Sequence, residues 1–402
     1  MTSFLLPRTS INTYKHICCK SSDDAQLPII SNSLSAYLCD IKHKIDNHEK
    51  DWDIYKRYTN PYEYVHTVIP FKKKCIALHK PLSRSYFKMI EIMQLFNIRF
   101  ESPIISSFHL AEGPGGFIEA LSDLRNCKED TYVGMTLLDD NSDPNIPAWK
   151  KSEHFLRQHK NVIIETGADK TGNLLVIDNL KYCKTMYASS MDLITADGGF
   201  DFSIDFNNQE INVINLLFAQ VCFALTMQKL GGKFILKIFD CFMHHTVDLL
   251  YILAAFYEKV HIVKPKTSRY ANSEKYVVCE GFLFNSCESF SPFLEKAFEL
   301  MSSNIESTKI KRLLNINISY LFLTKLEECN AIFGQQQIEN IHYTISLIDA
   351  GHKHDKIDML IKTNIKKCVS WCNSHNIATS SFEMVNNIFL TPHNSFSISK
   401  SV

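Results

Sequence analysis

Between Ile104 and Phe284 the chain alternates short apolar runs with stretches of helical periodicity, and this alternation restricts it to an α/β sheet. The runs Ile104–Leu110, Thr131–Leu138, Val162–Glu165, Asp192–Ala196, Lys233–Phe239, Val260–Val263 and Lys275–Phe284 read as strands. The segments Phe117–Leu124, Glu210–Leu230 and Thr246–Phe256 read as helices. The last strand alternates poorly, as a strand buried on both faces does. About seven strands with helices between them predict one mostly parallel sheet covered on both faces.

The flanks read differently. Residues up to about 50 are polar, and predict a loose start followed by a helix near Ala36–Lys50. Another helix is expected over Ser83–Phe96. From Ser286 to about Thr379 helical periodicity dominates, and the tail after Thr391 is rich in Ser and Asn. The expected organisation is an N-terminal extension over 1–80, a sheet domain over 81–285 and a mainly helical extension over 286–402.

Lysine plus arginine equal aspartate plus glutamate, at 43 each, so a uniformly basic coat for nucleic acid is excluded while local patches are not. The 13 cysteines form no C-x-x-C pair, and Cys368 and Cys372 sit four apart on a helical pattern without completing a metal site. No metal is expected, and scattered cysteines suit reduced thiols. The most apolar stretch, Val213–Leu225, carries Asn215 and Gln220 and is too short to span a bilayer, so it reads as a buried helix. The start of the chain breaks at Pro7 before an export signal can form. The expectation is a cytoplasmic protein that does not engage membranes.

The first chemical signal is Ala111-Glu-Gly-Pro-Gly-Gly-Phe117, which follows a strand and opens a helix. Glycines there let the backbone turn sharply and let a ligand approach closely. The segment lacks the Gly-Lys-Ser/Thr of a phosphate-binding loop and the full G-x-G-x-x-G spacing of dinucleotide folds. It suits a nucleoside cofactor without a pyrophosphate, such as S-adenosylmethionine. It suits a plain tight turn equally well.

The second signal is charge where a sheet should be apolar. Asp197 ends the strand Asp192–Ala196, Lys237 lies within Gly231–Phe239, Glu274 starts the last strand, and Lys88 sits on the helix before the glycine turn. Ligands of open α/β sheets bind outside the carboxyl ends of the strands, where Asp197 and Lys237 fall. A lysine among apolar neighbours is costly unless it is paired or its pKa falls. A Lys/Asp/Lys/Glu cluster can therefore supply a general base for a ribose hydroxyl that attacks a methyl group in line. Against this, Lys237 can extend to solvent and Asp197 can cap a turn.

At these residues the chain resembles the FtsJ-like 2′-O-ribose methyltransferases, most closely those that methylate the first transcribed nucleotide of capped mRNA. The resemblance covers about Lys56 to Phe284. It rests on Asn60-Pro-Tyr-Glu63, Ser83-Arg-Ser-Tyr-Phe-Lys88, Ala111–Phe117, Gly134-Met-Thr-Leu137, Gly167-Ala-Asp-Lys-Thr-Gly172, Ala196-Asp-Gly-Gly-Phe200, Gly231-Gly-Lys-Phe-Ile-Leu-Lys237 and Ser268–Cys279. It implies a Rossmann-like seven-stranded methyltransferase sheet, S-adenosylmethionine as cofactor and capped RNA as substrate. It implies a catalytic tetrad Lys88, Asp197, Lys237 and Glu274, with Lys237 as base, Lys88 and Asp197 tuning it, and Glu274 holding the geometry. Glu280 is the other candidate for the fourth place. The cofactor would be held by Ala111, Glu112, Gly113, Pro114, Gly115, Gly116 and Phe117, with Asp169 and Ser83. The RNA would be met by Lys56, Arg57, Asn207, Asn208, Gln209 and Asn272.

Two departures bear on affinity. The family's Asp-Gly-Thr-Gly-Asp is Asp169-Lys-Thr-Gly-Asn173 here, and Ser83 stands where some relatives have Asn. The altered segment and the unmatched C-terminal helices motivate an alternative, an inactive scaffold that binds RNA or other capping or transcription proteins. Methylation of uncapped ribosomal or transfer RNA is a third reading. Lys72-Lys-Lys74 with His79 and Lys80 is a candidate phosphate-contact patch or a solvated loop. Trp52, Tyr55, Tyr58, Tyr62 and Tyr64 suit the core better than base stacking, given the apolar area each buries. Abundant Asn, Ile, Lys and Phe resemble residue usage in large cytoplasmic DNA viruses, which implies host cytoplasm and packaging in the virion.

Overall fold

The computed structural model describes residues 2–138, 148–199, 207–303, 309–351 and 354–380. In chain order, the first part holds β1 (Ser3–Leu5), β2 (Ile17–Ser22), α1 (Asn32–Asp46), α2 (Glu49–Thr59) and α3 (Ser85–Leu95). The middle holds β3 (Ser106–Leu110), α4 (Gly116–Arg125), β4 (Thr131–Met135), α5 (Glu153–Gln158), β5 (Val162–Glu165), α6 (Ile177–Tyr187), β6 (Met191–Ala196), α7 (Gln209–Met227), β7 (Gln228–Ile238), α8 (His244–Phe256), β8 (Tyr257–Val263) and β9 (Lys275–Phe282). The last part holds α9 (Ser291–Ser303), β10 (Lys309–Leu314), α10 (Tyr320–Asp349) and α11 (His354–Ser374).

The main sheet has the order β1-β8-β9-β7-β6-β3-β4-β5. Strands β3 to β7 pair in parallel, and β9 inserts antiparallel between β7 and β8. The seven strands expected from the sequence are all present. From β3 the chain moves outward through β4 and β5, and returns to the other side of β3 as β6. Two loops that leave neighbouring strands in opposite directions open a crevice at the carboxyl ends of β3 and β6.

Each face of the sheet carries its own core. On one side α3, α4 and α11 contribute Phe87, Phe117, Ile118, Leu121 and Trp371 over Leu193, Ile235 and Val278. On the other, α6 to α9 cover Phe108, Ile194, Phe234 and Leu236. Helix α7 is long and apolar enough to cross a membrane by length and composition, yet Val213, Leu217, Phe218, Val221 and Phe223 are buried in that core. It stops at Met227 rather than continuing to Leu230, because Gln228 turns into the sheet. There its side chain donates to the Met191 carbonyl at 2.8 Å and accepts from the Tyr257 hydroxyl at 3.0 Å.

The flanking segments depart from expectation in two places. The start of the chain, read as loose, forms β1 on the edge of β8, with Ser3 opposite Val263. It also forms β2, which pairs with β10 inside the segment read as helical. Buried Asp248 on α8 fixes β10: it accepts from Arg312 Nε at 2.8 Å and from the amides of Leu313 and Leu314 at 2.9 and 3.1 Å. A buried carboxylate needs such partners, and here they belong to the incoming strand. Most of the other described residues of the segment are helical, in α9, α10 and α11. Of the five N-terminal aromatics, Trp52, Tyr55 and Tyr64 are buried and Tyr58 and Tyr62 are half-buried.

Candidate active site

The turn after β3 is closed by the Gly115 amide donating to the Glu112 carbonyl at 2.7 Å, with Gly115 in the left-handed region at φ +107°. Space around it is tight. A Cβ on Gly113 would run into the Ala148 carbonyl, and one on Gly116 would run into the hydroxyls of Ser83 and Ser85. Ser83 therefore sits against the glycine turn. The Glu112 side chain folds back on the first turn of α4, where Oε1 accepts from the amides of Phe117 at 2.6 Å and Ile118 at 3.2 Å. Its Oε2 is buried without a hydrogen-bond partner. Burial, reinforced by the Asp197 carboxylate, pushes the Glu112 carboxyl up to about 8 against the pull of those amides.

Asp197 leaves β6 beside this turn. A Cβ on the next residue, Gly198, would lie 2.7 Å from the Ala111 Cβ, so the two loops touch only because position 198 is glycine. Lys237 on β7 turns its amine toward the same point. Nζ donates to the Asp197 carbonyl at 2.6 Å and lies 3.4 Å from Oδ1. It does not extend to solvent, and Asp197 does more than cap a turn.

Lys88 on α3 and Glu274, just ahead of β9, are both buried and pair at 2.6 Å. Burial lowers the Lys88 pKa and Arg84 adds to that, while Glu274 opposes it. Burial alone would raise the Glu274 carboxyl, but Lys88, then Lys237 and Arg84, hold it far below the usual range. All four charged residues thus meet in one cluster at the carboxyl ends of β6 and β7. Glu280 does not join it. In the β7–β9 ladder Glu280 lies opposite Lys233, at the other end of the strands.

Tyr276 links the two pairs and was not legible as a site residue. It lies directly opposite Lys237 in the ladder and its hydroxyl donates to Asp197 Oδ1 at 2.7 Å. The Lys88 ammonium sits 5.7 Å from the centre of its ring. The available signal was spacing, because Glu274 and Tyr276 are two apart and share a face of the strand. Ser268 was also missed. Its hydroxyl donates to Glu274 Oε1 at 2.5 Å.

The other sequence-named residues fall around this centre. Asp169 lies exposed beyond β5, and its Oδ1 accepts from the Thr171 amide and hydroxyl and from Asn179 at 2.8–2.9 Å. Asn173 accepts from the Leu175 amide at 2.9 Å and so staples the same turn. Asn207 and Asn208 line a cleft of about 440 Å³ with Lys42, Glu210 and Asp240. Asn207 also meets His43 at 3.0 Å. Gln209 accepts from Ser273 at 2.7 Å. Asn272 Oδ1 accepts from buried Lys264, whose pKa burial and Lys275 bring down to about 7. Lys56 pairs with Asp53 on α2, and Arg57 is exposed on the same helix. Neither has a described contact with the tetrad. Phe200, part of one motif, lies outside the described residues.

The glycine turn offers close backbone approach, Asp169 a carboxylate at the rim, and Glu112 an unsatisfied buried oxygen. This set fits a nucleoside ligand that reaches toward Asp197.

Comparison with known proteins follows the same residues. The FtsJ-like methyltransferase family model matches residues 81–282. The chain is 29% identical over 311 residues to the cap-specific mRNA (nucleoside-2′-O-)-methyltransferase 2 of Pongo abelii, covering 71% of this chain and 38% of that protein. It is 33% identical over 174 residues to the cap-specific mRNA (nucleoside-2′-O-)-methyltransferase 1 of Trypanosoma cruzi (strain CL Brener), covering 42% of this chain and 48% of that protein. Among solved structures, a protein described as a ribosomal RNA methyltransferase from Plasmodium falciparum aligns at 20% identity and a TM-score of 0.35, covering 50% of this chain and 98% of that one. The chain spans less than half the length of these curated relatives.

Proposed function

The chain belongs to the FtsJ-like methyltransferase family, and from that premise we propose that it transfers a methyl group from S-adenosylmethionine to the ribose 2′-hydroxyl of the first transcribed nucleotide of capped mRNA. The observation that carries this reading is the convergence of Lys88, Asp197, Lys237 and Glu274 beside the glycine turn.

In this reading the cofactor lies along Ala111–Phe117, with Ser83 beneath the turn and Asp169 at its rim. When bound it supplies an electrophilic methyl group. Lys237 is the group that takes the proton from the ribose 2′-hydroxyl, at Nζ. Its amine is fixed beside Asp197, since Nζ donates to the Asp197 carbonyl and lies 3.4 Å from Oδ1. Asp197 is itself held by Tyr276. Glu274 balances the buried Lys88 ammonium and keeps that side of the site rigid. The protein's main contribution is then alignment, since holding acceptor and methyl about 3 Å apart in line removes much of the entropic barrier. The cleft at Asn207 and Asn208 lies three residues beyond Lys237 along the chain, at Asp240, and suits the RNA side of the site. We place the reaction in the cytoplasm.

The test is transfer of radiolabelled methyl to three RNAs: a short capped RNA, the same RNA already 2′-O-methylated at its first nucleotide, and an uncapped structured RNA. The proposal expects label on the first alone. Equal label on the first two overturns the site. Label on the third alone overturns the substrate. A folded protein that labels none of them supports the scaffold reading instead.

A further inference from the structure

The loop between Glu63 and α3 is the one segment singled out in the sequence that the methyl-transfer reading does not use. From Tyr64 to Ile90 the chain carries six lysines and arginines (Lys72, Lys73, Lys74, Lys80, Arg84 and Lys88) and no carboxylate. In a chain of zero net charge that is a strong local asymmetry.

The loop has a rigid root and an unusual tip. At the root the amides of Ile76 and Ala77 donate to the carbonyls of Tyr64 and Val65 at 2.9 and 3.0 Å, and Tyr64, Val65, Ile69, Ile76 and Ala77 are buried. His66 packs its ring 6.4 Å from that of Phe87, the residue before Lys88. The root is therefore part of the wall that carries the tetrad lysine. At the tip the Ile69 amide donates to the Lys74 carbonyl at 2.9 Å and closes a tight turn. Within it Phe71 and Lys73 adopt left-handed φ values of +66° and +51°. Phe71 is 99% exposed, and Lys72, Lys73 and Lys74 are exposed beside it.

A single exposed apolar side chain is ordinary. Here three costs coincide: a bulky residue in a sparsely populated backbone region, an aromatic ring left fully in water, and adjacent like charges. Among the described residues no other ring stacks on Phe71, whose side chain lies almost wholly in water. A single strand of nucleic acid would offset all three. Its bases stack on an exposed aromatic ring, and its phosphates take the charge of neighbouring lysines. We propose that Phe71 with Lys73 and Lys74 forms a contact for the single-stranded RNA downstream of the methylated nucleotide, stacking one base and pairing its phosphates. The proposal rests on the methyl-transfer reading for its ligand, since that reading brings a capped RNA strand to the site whose Lys88 follows Phe87, on which the root of this loop packs.

The test measures length dependence. Binding of a capped dinucleotide and of a capped 20-nucleotide unstructured RNA is followed by fluorescence anisotropy over a salt series for wild type, Phe71→Ala, Phe71→Trp and the double variant Lys73→Ala/Lys74→Ala. Wild type is expected to prefer the longer RNA. Phe71→Ala is expected to lower that preference at least about fivefold, from the usual value of one base–aromatic stack, and Phe71→Trp to keep it. The double variant is expected to reduce the slope of log K against log salt by about 1.4, at about 0.7 per phosphate contact on a single strand. An unchanged preference and slope overturn the proposal. So does a Phe71-dependent association with vesicles of anionic phospholipid together with unaltered RNA binding, which would assign the tip to membranes. Because binding is read without catalysis, wild type that binds the longer RNA through Phe71 but transfers no methyl group would sink the methyl-transfer reading and leave this contact standing.

Discussion

Glu112 gives the most demanding test of the site's electrostatics. Its carboxyl is buried against the start of α4 and shifted from 4.5 to about 8, so between those values the folded protein holds a proton that the unfolded chain has released. A raised folded-state pKa means that the stabilisation is complete below about pH 4.5 and is lost as pH rises through about 8. At about 1.4 kcal/mol per pH unit within that window, Glu112 alone withdraws about 3 kcal/mol of stability between pH 5 and pH 7.5. Glu112→Gln removes the titration. Its carbonyl oxygen still accepts from Phe117 and Ile118, and its amide nitrogen occupies the position of the unsatisfied Oε2. The assay is urea unfolding of both proteins at half-unit steps from pH 5 to 8, with tryptophan fluorescence and far-UV circular dichroism required to coincide before a free energy is taken. Glu210, raised to about 7 by burial, titrates in the same direction but cancels in the difference between the two proteins. The variant should gain about 3 kcal/mol on wild type across the range. A difference that stays flat with pH would refute the assignment of a buried, protonated carboxyl to this turn.

Arg269→Ala strands the buried Glu63 carboxylate, which Arg269 meets at 2.6 Å and holds down to about 2 against the upward push of burial. A loss of about 3–5 kcal/mol at neutral pH is expected by chemical denaturation. That penalty should shrink as pH falls below about 4.5, because a depressed carboxylate contributes stability only above its unfolded pKa. Gly113→Ala drives a Cβ into the Ala148 backbone and should weaken S-adenosylmethionine binding at least about tenfold by calorimetry, with an intact far-UV spectrum. Tyr276→Phe removes one hydrogen bond to an ionised group, worth about 1.5–3 kcal/mol, and should lower kcat about tenfold or more while leaving KM for RNA near wild type. A change in KM alone would mean that Tyr276 does not position Asp197.

What the sequence disclosed and what it hid divide along sequence separation. The seven strands β3 to β9, the glycine turn and the four tetrad residues were legible because each signal is local: an apolar run, a cluster of glycines, a charge at a strand end or on the helix before the glycine turn. Strands β1, β2 and β10 were not. Each is short, and each exists only because a partner hundreds of residues away presents an edge, as Ser3 does with Val263 and Lys309 with Ser22. Helix α7 was placed correctly except at its end, where Gln228 is claimed by Met191 and Tyr257. Within the site, the departure at Asn173 was legible as a lost carboxylate, but not that the side chain accepts from the Leu175 amide and binds its own turn. Tyr276 falls inside a recognised motif, yet nothing in its neighbourhood of sequence shows that Asp197 will lie against it. The Glu63–Arg269 pair was hidden for the same reason, although both residues fell inside recognised motifs.

The central claim is that Lys237 is the base. It is tested most directly by methyl transfer to capped RNA with Lys237→Ala, measured beside calorimetric binding of S-adenosylmethionine to the same preparation. The account predicts a fall in transfer of at least about 10²-fold with cofactor affinity within about threefold of wild type. Transfer near the wild-type rate by a variant that still binds cofactor would contradict it.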